Sequence, residues 1–273
     1  MAIDTANGAT YKVAEKIFSA LNIDYTIINN NPNGININKD CGSTHLDKLK
    51  KYVVENGYNL GIAYDGDGDR CLAVDELGNI IDGDILLAII SNYLSKNNEL
   101  KKETVVATVM SNMGLSKYTE KNKLNLVSTK VGDRYVLEEM LKEGYNLGGE
   151  QSGHVILLDY NPTGDGILTS LMLILILLED KKKASKACEI IDIYPQVLIN
   201  AKVLEAKKKD YLTNNEIQLK IKELEEEFLN SGRVLIRPSG TEPLIRVMIE
   251  GKDKEYIKKR AVELANLIEE KLN

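Results

Sequence analysis

Leu60-Gly61-Ile62-Ala63-Tyr64-Asp65-Gly66-Asp67-Gly68-Asp69-Arg70-Cys71-Leu72-Ala73-Val74 is the stretch that decides how this chain is read. Its two apolar runs, 60–64 and 71–74, read as strands, and the acidic segment between them reads as a tight loop. Carboxylates packed this closely repel one another unless a cation neutralises them. Hard oxygen donors on a short loop suit Mg²⁺ or a similar ion. The interleaved glycines let the backbone bend so that Asp65, Asp67 and Asp69 converge. Arg70 then faces an anionic ligand. A solvated acidic turn is the alternative.

Two other loop types share part of this pattern. Asp65, Asp67, Asp69 and Glu76 have the spacing of positions 1, 3, 5 and 12 of an EF-hand, but Arg70 stands where that loop needs glycine, and the flanks read as strands. A haloacid-dehalogenase-type phosphatase carries D-x-D-G after a strand, with Thr or Val where this chain has Asp69.

Outward from the loop, strand and helix patterns alternate. Helices are expected over 9–21, 44–57, 84–94, 113–121, 135–141 and 166–178, and strands over 23–28, 60–64, 104–110, 124–128, around 147 and over 155–158. Thr44 with Asp47 resembles an N-cap pair. Ile3-Asp4 reads as a strand cut short, as if the chain began inside an element. Strands separated by helices imply parallel βαβ units. Beyond residue 190 the pattern becomes α+β, with strands over 197–203, 234–236 and 244–249 and helices over 215–229 and 257–272.

The composition is that of a globular protein, 43% hydrophobic and 28% charged. A net charge of −6 gives no support to nucleic-acid or membrane-surface binding. The lysine runs 181–183 and 207–209 read as solvated. Three cysteines without C-x-x-C spacing and only two histidines argue against a disulfide framework or a zinc site. The longest apolar stretch, 171–178, is far below the ~20 residues that span a bilayer. No secretory leader is expected, and the expected compartment is the reducing cytoplasm.

Three more loops look chemical. Arg237-Pro238-Ser239-Gly240-Thr241-Glu242-Pro243, with Arg246 beyond it, combines arginine, hydroxyls and glycine amides into an anion nest; a plain proline-glycine hairpin is the alternative. Gly148-Gly149-Glu150-Gln151-Ser152-Gly153-His154 sets a carboxylate, an amide, a hydroxyl and an imidazole on one loop, a set that can bond several sugar hydroxyls. His154 is either an acid–base group or a structural histidine opening a strand. Thr129-Lys130-Val131-Gly132-Asp133-Arg134-Tyr135 joins a strand to a helix, where amides, Lys130 and Arg134 favour an anion. A cation loop, a phosphate nest and a polyol-reading loop together suit a sugar phosphate with magnesium.

Residues 65–70 (D-G-D-G-D-R), 149–154 (G-E-Q-S-G-H) and 237–243 (R-P-S-G-T-E-P), in that order, resemble the signature loops of the α-D-phosphohexomutase family, and the resemblance covers essentially the whole chain. The implied fold is α/β: two consecutive βα-type phosphohexomutase domains, 1–79 and 80–190, followed by a smaller α+β C-terminal domain, 191–273. Gln151 resembles the bacterial branch acting on glucosamine phosphates more than the mannose-phosphate branch, which tends to carry Met there. Asn36-Ile37-Asn38, Cys41-Gly42-Ser43-Thr44-His45 and residues 130–134 point the same way. The resemblance implies interconversion of glucosamine 6-phosphate and glucosamine 1-phosphate through glucosamine 1,6-bisphosphate. A phosphomannomutase, a phosphoglucomutase and a non-catalytic sugar-phosphate binding module are the alternatives.

Carried over by the same resemblance, Asp65, Asp67 and Asp69 hold Mg²⁺, Arg70 sits beside the transferring group, and His154 is a supporting acid–base or orienting group. Glu150 and Ser152 read sugar hydroxyls, with Lys130 and Arg134 also on the substrate. Arg237, Ser239, Gly240, Thr241 and Arg246 grip the non-reacting phosphate. Members of the family have four domains, and the first carries a phosphoserine in a Ser-His-Asn-Pro loop. This sequence contains no such segment; Ser43-Thr44-His45 is the nearest look-alike. The expectation is a piece that binds a phosphorylated amino sugar but turns it over only if a separate N-terminal domain supplies the phosphoserine. The oligomeric state stays open.

Overall fold

The computed structural model describes residues 1–229, 231–240 and 242–273, which fall into two compact units: Met1–Ser111 with Leu115–Asp192, and Asn112–Gly114 with Ile193–Asn273. Thr241, expected in the phosphate loop, lies outside the described residues.

The first unit opens with β1 (Ala2–Asp4), α1 (Tyr11–Ala20), β2 (Thr26–Ile28), α2 (Asp47–Glu55), β3 (Leu60–Tyr64), β4 (Cys71–Asp75) and β5 (Ile80–Ile81). Its sheet has the order β2-β1-β3-β4-β5. β1 runs parallel to both neighbours, with Ile3 opposite Ile27 and Ile62. The βαβ pattern predicts parallel pairing for strands separated by helices, whereas β3 and β4 flank the tight acidic loop with no helix between them. Tyr64 faces Cys71 and Leu60 faces Asp75 in an antiparallel pair. Residues 65–70 are too few for the crossover that a parallel pair needs, so the acidic segment is the tip of a hairpin.

α3 (Gly83–Lys96) leads to β6 (Thr104–Thr108), α4 (Met113–Lys121), β7 (Asn125–Thr129), α5 (Asp133–Glu143), β8 (Leu147–Gly149), β9 (Val155–Leu157), α6 (Gly166–Asp180) and α7 (Ala184–Cys188). The order β7-β6-β8-β9 is parallel through β8 and again ends in an antiparallel hairpin. The loops after β3, β7 and β8 therefore leave carboxyl ends of parallel strands, where α/β sheets bind ligands. One continuous core underlies both sheets. Ile3, Phe18, Ile62 and Tyr64 join Leu86, Leu87 and Ile90 of α3, Leu147 of β8 and Leu173 of α6. α3 and α6 are apolar over most of their circumference because they are packed within it.

The second unit is an antiparallel sheet with helices on one face. β10 (Gln196–Lys202), α8 (Asn215–Glu227), β11 (Gly232–Pro238), β12 (Leu244–Gly251) and α9 (Lys254–Leu272) give the strand order β10-β12-β11. Alternate residues Ile245, Val247 and Ile249 enter the core, where they meet Ile217, Ile221 and Leu224 of α8 and Ile257, Ala261, Leu264 and Ile268 of α9.

Some local expectations shift. Thr44 does not cap α2; its hydroxyl bonds His45 Nδ1 at 3.1 Å, and Leu46 holds the cap position without a side-chain bond. Asp82, not Asp84, begins the third helix as its cap, accepting from Ile85 N at 3.1 Å. The strand expected over 23–28 forms only at 26–28, because Ile23 N still bonds Phe18 O at the exit of α1. The short α7 went unread. No helix among the described residues is long and apolar enough to cross a membrane.

Candidate active site

The acidic hairpin tip is organised around Asp65. Its Oδ1 accepts hydrogen bonds from the amides of Gly68 and Arg70, both at 3.1 Å. That fold-back needs a left-handed residue, which Gly68 supplies at φ +81°. Asp65 is buried, Asp67 is exposed and Asp69 is half-buried, and one ligand oxygen from each lies within 4.8 Å of the others. Burial, then the bond to Asp67 and the charge of Asp69, push the Asp65 carboxyl up to about 6. Crowded, desolvated carboxylates of this kind are the setting a divalent cation relieves, and an all-oxygen donor set fits Mg²⁺ rather than a soft metal. Arg70 Nε stands 3.9 Å from Asp65 Oδ2 and 3.8 Å from Asp69 Oδ1, and it has no hydrogen-bond partner among the described residues.

The β8–β9 hairpin is bound to this tip. Gly153 O accepts from Cys71 N at 3.0 Å. The approach is close enough that a Cβ on Gly153, whose φ is +93°, would lie 2.3 Å from Cys71 O. His154, 3% exposed, stands 3.1 Å from Asp69 Oδ2 through Nδ1, and its Nε2 accepts from Gly164 N at 3.2 Å. An amide N–H can only donate, so Nε2 is the acceptor and Nδ1–H donates to Asp69. Both ring nitrogens are thus engaged.

Other members of the hairpin divide in the same way. Glu150 Oε1 accepts from Gly132 N at 3.0 Å, which joins the third candidate loop to the second. Ser152 is exposed at the tip. Gln151, counted among the polyol-reading groups, instead bonds Asp82 Oδ2 at 3.3 Å, while its carbonyl accepts from Gly83 N at 2.9 Å. Its amide fastens the hairpin to the start of α3. Lys130 is exposed, with Nζ 5.9 Å from the Tyr135 ring centre. Arg134 turns along its own helix to Glu138 at 2.7 Å, so the structure does not bring it to the other candidate groups.

In the second unit, Arg237 and Arg246 face each other across β11 and β12. Their Nε atoms are buried without partners among the described residues, and burial, with Arg246 second, lowers the Arg237 pKa. Arg246 Nη2 reaches Glu242 at 3.1 Å. Ser239 is buried; its amide donates to Leu244 O at 2.9 Å and its Oγ accepts from Glu242 N at 3.3 Å. Gly240 is exposed. Guanidinium groups that face each other with open Nε–H donors beside a bent loop make an anion site.

Lys208 was missed. It sits in a lysine run expected to be solvated, yet it is only 9% exposed. Its Nζ lies 2.7 Å from Ser239 O, 3.1 Å from Glu242 O and 2.7 Å from Glu205 Oε1. Nothing in the run distinguishes Lys208 from Lys207 or Lys209 by composition.

Three family models account for nearly all of the sequence: phosphoglucomutase/phosphomannomutase alpha/beta/alpha domain II over residues 1–78, alpha/beta/alpha domain III over 82–194 and the C-terminal domain over 198–267. The chain is 58% identical over 273 residues to a phosphoglucosamine mutase of Clostridium acetobutylicum and 56% identical over 271 residues to one of Clostridium tetani. These alignments take in 100% and 99% of the chain, and the chain spans 61% and 60% of the two relatives. Among solved structures, N-acetylphosphoglucosamine mutase of Aspergillus fumigatus in complex with GlcNAc-6P and magnesium superposes with a TM-score of 0.82 at 20% identity, over 100% of this chain and 61% of that one. A putative phosphomannomutase of Thermus thermophilus does so with a TM-score of 0.72 at 20% identity, over 98% of this chain and 60% of that one. The chain belongs to the phosphoglucomutase/phosphomannomutase family, the α-D-phosphohexomutases.

Proposed function

We propose that this chain carries the metal-, sugar- and phosphate-binding parts of a phosphoglucosamine mutase, which interconverts glucosamine 6-phosphate and glucosamine 1-phosphate through glucosamine 1,6-bisphosphate. One observation carries the reading: the Asp69–His154 hydrogen bond joins the acidic cage to the hairpin that presents Glu150 and Ser152. Identity above half to relatives named phosphoglucosamine mutase supports the choice of sugar. The chain is read as three domains, 1–79, 80–190 and 191–273, acting in the cytoplasm.

Asp65, Asp67 and Asp69 hold Mg²⁺, which when bound offsets negative charge on a phosphoryl group in transit. Arg70, whose Nε is flanked by carboxylates without a hydrogen bond to either, turns to that group. Oε2 of Glu150, the oxygen not bonded to Gly132 N, accepts from a sugar hydroxyl, Ser152 donates or accepts, and Lys130 adds positive charge at the rim. Arg134 can join only by leaving Glu138. Arg237, Arg246, Ser239, Gly240 and Thr241 hold the phosphate that is not being transferred. His154 orients Asp69 rather than exchanging a proton with substrate, because neither ring nitrogen is free.

These residues include no Ser-His-Asn-Pro phosphoryl carrier. The 273-residue chain on its own therefore binds sugar phosphate without converting it, and it gains turnover when a separate phosphoserine domain is added. ³¹P NMR of glucosamine 6-phosphate with the chain, Mg²⁺ and a trace of the 1,6-bisphosphate tests this. Appearance of the 1-phosphate from the chain alone would overturn the inactivity. Tighter binding of mannose or glucose phosphate would move the assignment to phosphomannomutase or phosphoglucomutase. Binding with no gain from the added domain would favour a sugar-phosphate binding module.

A further inference from the structure

We propose that Lys208 is the positioning residue of the phosphate loop: it sets the Ser239–Gly240 peptide so that the Gly240 N–H serves the bound anion. The inference rests on the reading of Arg237 and Arg246 as an anion site. It concerns a residue outside the loop and outside its sequence motif.

A lysine ammonium has three N–H donors and no acceptor. At Lys208 all three are accounted for by three oxygens: the carbonyls of Ser239 and Glu242 and the carboxylate of Glu205. Two of the three are main-chain oxygens of the phosphate turn, which lies more than thirty residues further along the chain. Burying an ammonium is costly unless its hydrogen bonds are complete, so this geometry holds both partners in place. A surface lysine would not need it.

The direction follows from peptide geometry. In a planar trans peptide the C=O and the following N–H point in opposite directions. Ser239 C=O points at Lys208 Nζ, so Gly240 N–H points away from the ammonium. Gly240 is exposed, and a Cβ built on it meets nothing within 4 Å, so that side of the turn is open to a ligand. Of the described amides on either side, Ser239 N bonds Leu244 O and Glu242 N bonds Ser239 Oγ. The peptide after Glu242 C=O belongs to Pro243, which has no N–H. The ammonium thus aims the Gly240 amide outward and adds positive charge beneath it, and both effects favour a phosphate over a neutral ligand.

Inorganic phosphate is the probe. It is titrated into the 273-residue chain, with affinity read by calorimetry, the Gly240 amide followed by ¹H–¹⁵N NMR and the melting temperature measured in parallel. In the wild type, phosphate should shift the Gly240 proton downfield. Lys208→Met should weaken phosphate by roughly fivefold or more and abolish that shift, whereas Lys208→Arg should retain most of both. A purely structural lysine would lower the melting temperature and leave affinity and shift unchanged; that result in folded Lys208→Met overturns the proposal. If Lys208→Met does not fold, the wild-type titration still decides: a Gly240 amide that ignores phosphate while the Arg237 Nε–H responds refutes it. Arg246→Gln separates the two readings. If wild type and Arg246→Gln bind phosphate alike, the anion site itself is wrong and the proposal falls with it. If only Lys208→Met behaves as wild type, the anion site stands and the role of Lys208 falls.

Discussion

Asp69 and His154 are joined across 85 positions of sequence by a 3.1 Å hydrogen bond whose direction is fixed from the far side of the ring by Gly164 N–H. The imidazole therefore acts on the acidic cage by orienting one of its carboxylates, the supporting relationship that sets ligand geometry around a metal.

His154→Ala should weaken Mg²⁺ binding by about tenfold or more. His154→Asn should restore much of it, because the Asn amide can place a donor near the position of Nδ1–H. Calorimetry with Mg²⁺ on both variants checks this. If His154 were instead a proton carrier, both substitutions would leave Mg²⁺ affinity intact and only turnover would suffer once the phosphoserine domain is added.

Mg²⁺ affinity should depend on pH through Asp65, which titrates at about 6 without metal. Binding needs the carboxylate, so affinity should hold above pH 7, fall by up to about tenfold per unit below pH 6, and release protons near pH 6. The stability of the metal-free chain runs the other way. A carboxyl raised above its unfolded value favours folding most below about pH 4, and that contribution is lost as pH rises through 6. In EDTA, this group should therefore make the melting temperature higher at pH 5 than at pH 7. Asp67→Asn should blunt the response to Mg²⁺, which in the wild type is worth about 2.7 kcal/mol at a hundredfold excess over Kd. An unchanged magnesium-induced shift in that variant would remove the loop as the metal site.

The parts of this architecture legible in sequence are those written in neighbouring residues. β3 and the start of α6 at Gly166 stand where the apolar runs place them, and α4 spans the expected 113–121. The groups of each signature loop are adjacent in the chain, so their convergence could be read directly. The partners that give each group its task are distant. Gln151 finds Asp82 from 69 positions away, and Lys208 finds Ser239 from 31. No local pattern encodes those pairs, so Gln151 read as a ligand group and Lys208 as a solvated charge. The antiparallel pairing of β3 with β4 was legible too, because the tight loop read between their apolar runs is too short for a crossover.

Arg237 opposite Arg246 is a like-charge cross-strand pair, and such pairs destabilise a sheet by roughly 0.2–1 kcal/mol. The strain should be relieved by anions. Inorganic phosphate or sulfate should raise the melting temperature of the second unit, and Arg246→Gln should abolish that gain while leaving the ligand-free chain equally or slightly more stable. Differential scanning calorimetry with phosphate against chloride at matched ionic strength tells specific binding from general screening. An equal response to both salts would count against a built site.

Gly153 links the two hairpins most tightly, and its replacement is the sharpest test of their coupling. Ala at φ +93° is strained, and its Cβ would sit 2.3 Å from the Cys71 carbonyl, so the backbones must separate. Gly153→Ala should cost about 2–4 kcal/mol in urea unfolding. Because Gly153 adjoins His154, the same separation should loosen the hydrogen bond on Asp69 and weaken Mg²⁺ binding in the protein that remains folded. A variant that lost stability but kept wild-type magnesium affinity would mean that the acidic cage keeps its geometry without the hairpin, and that His154 contributes packing rather than orientation.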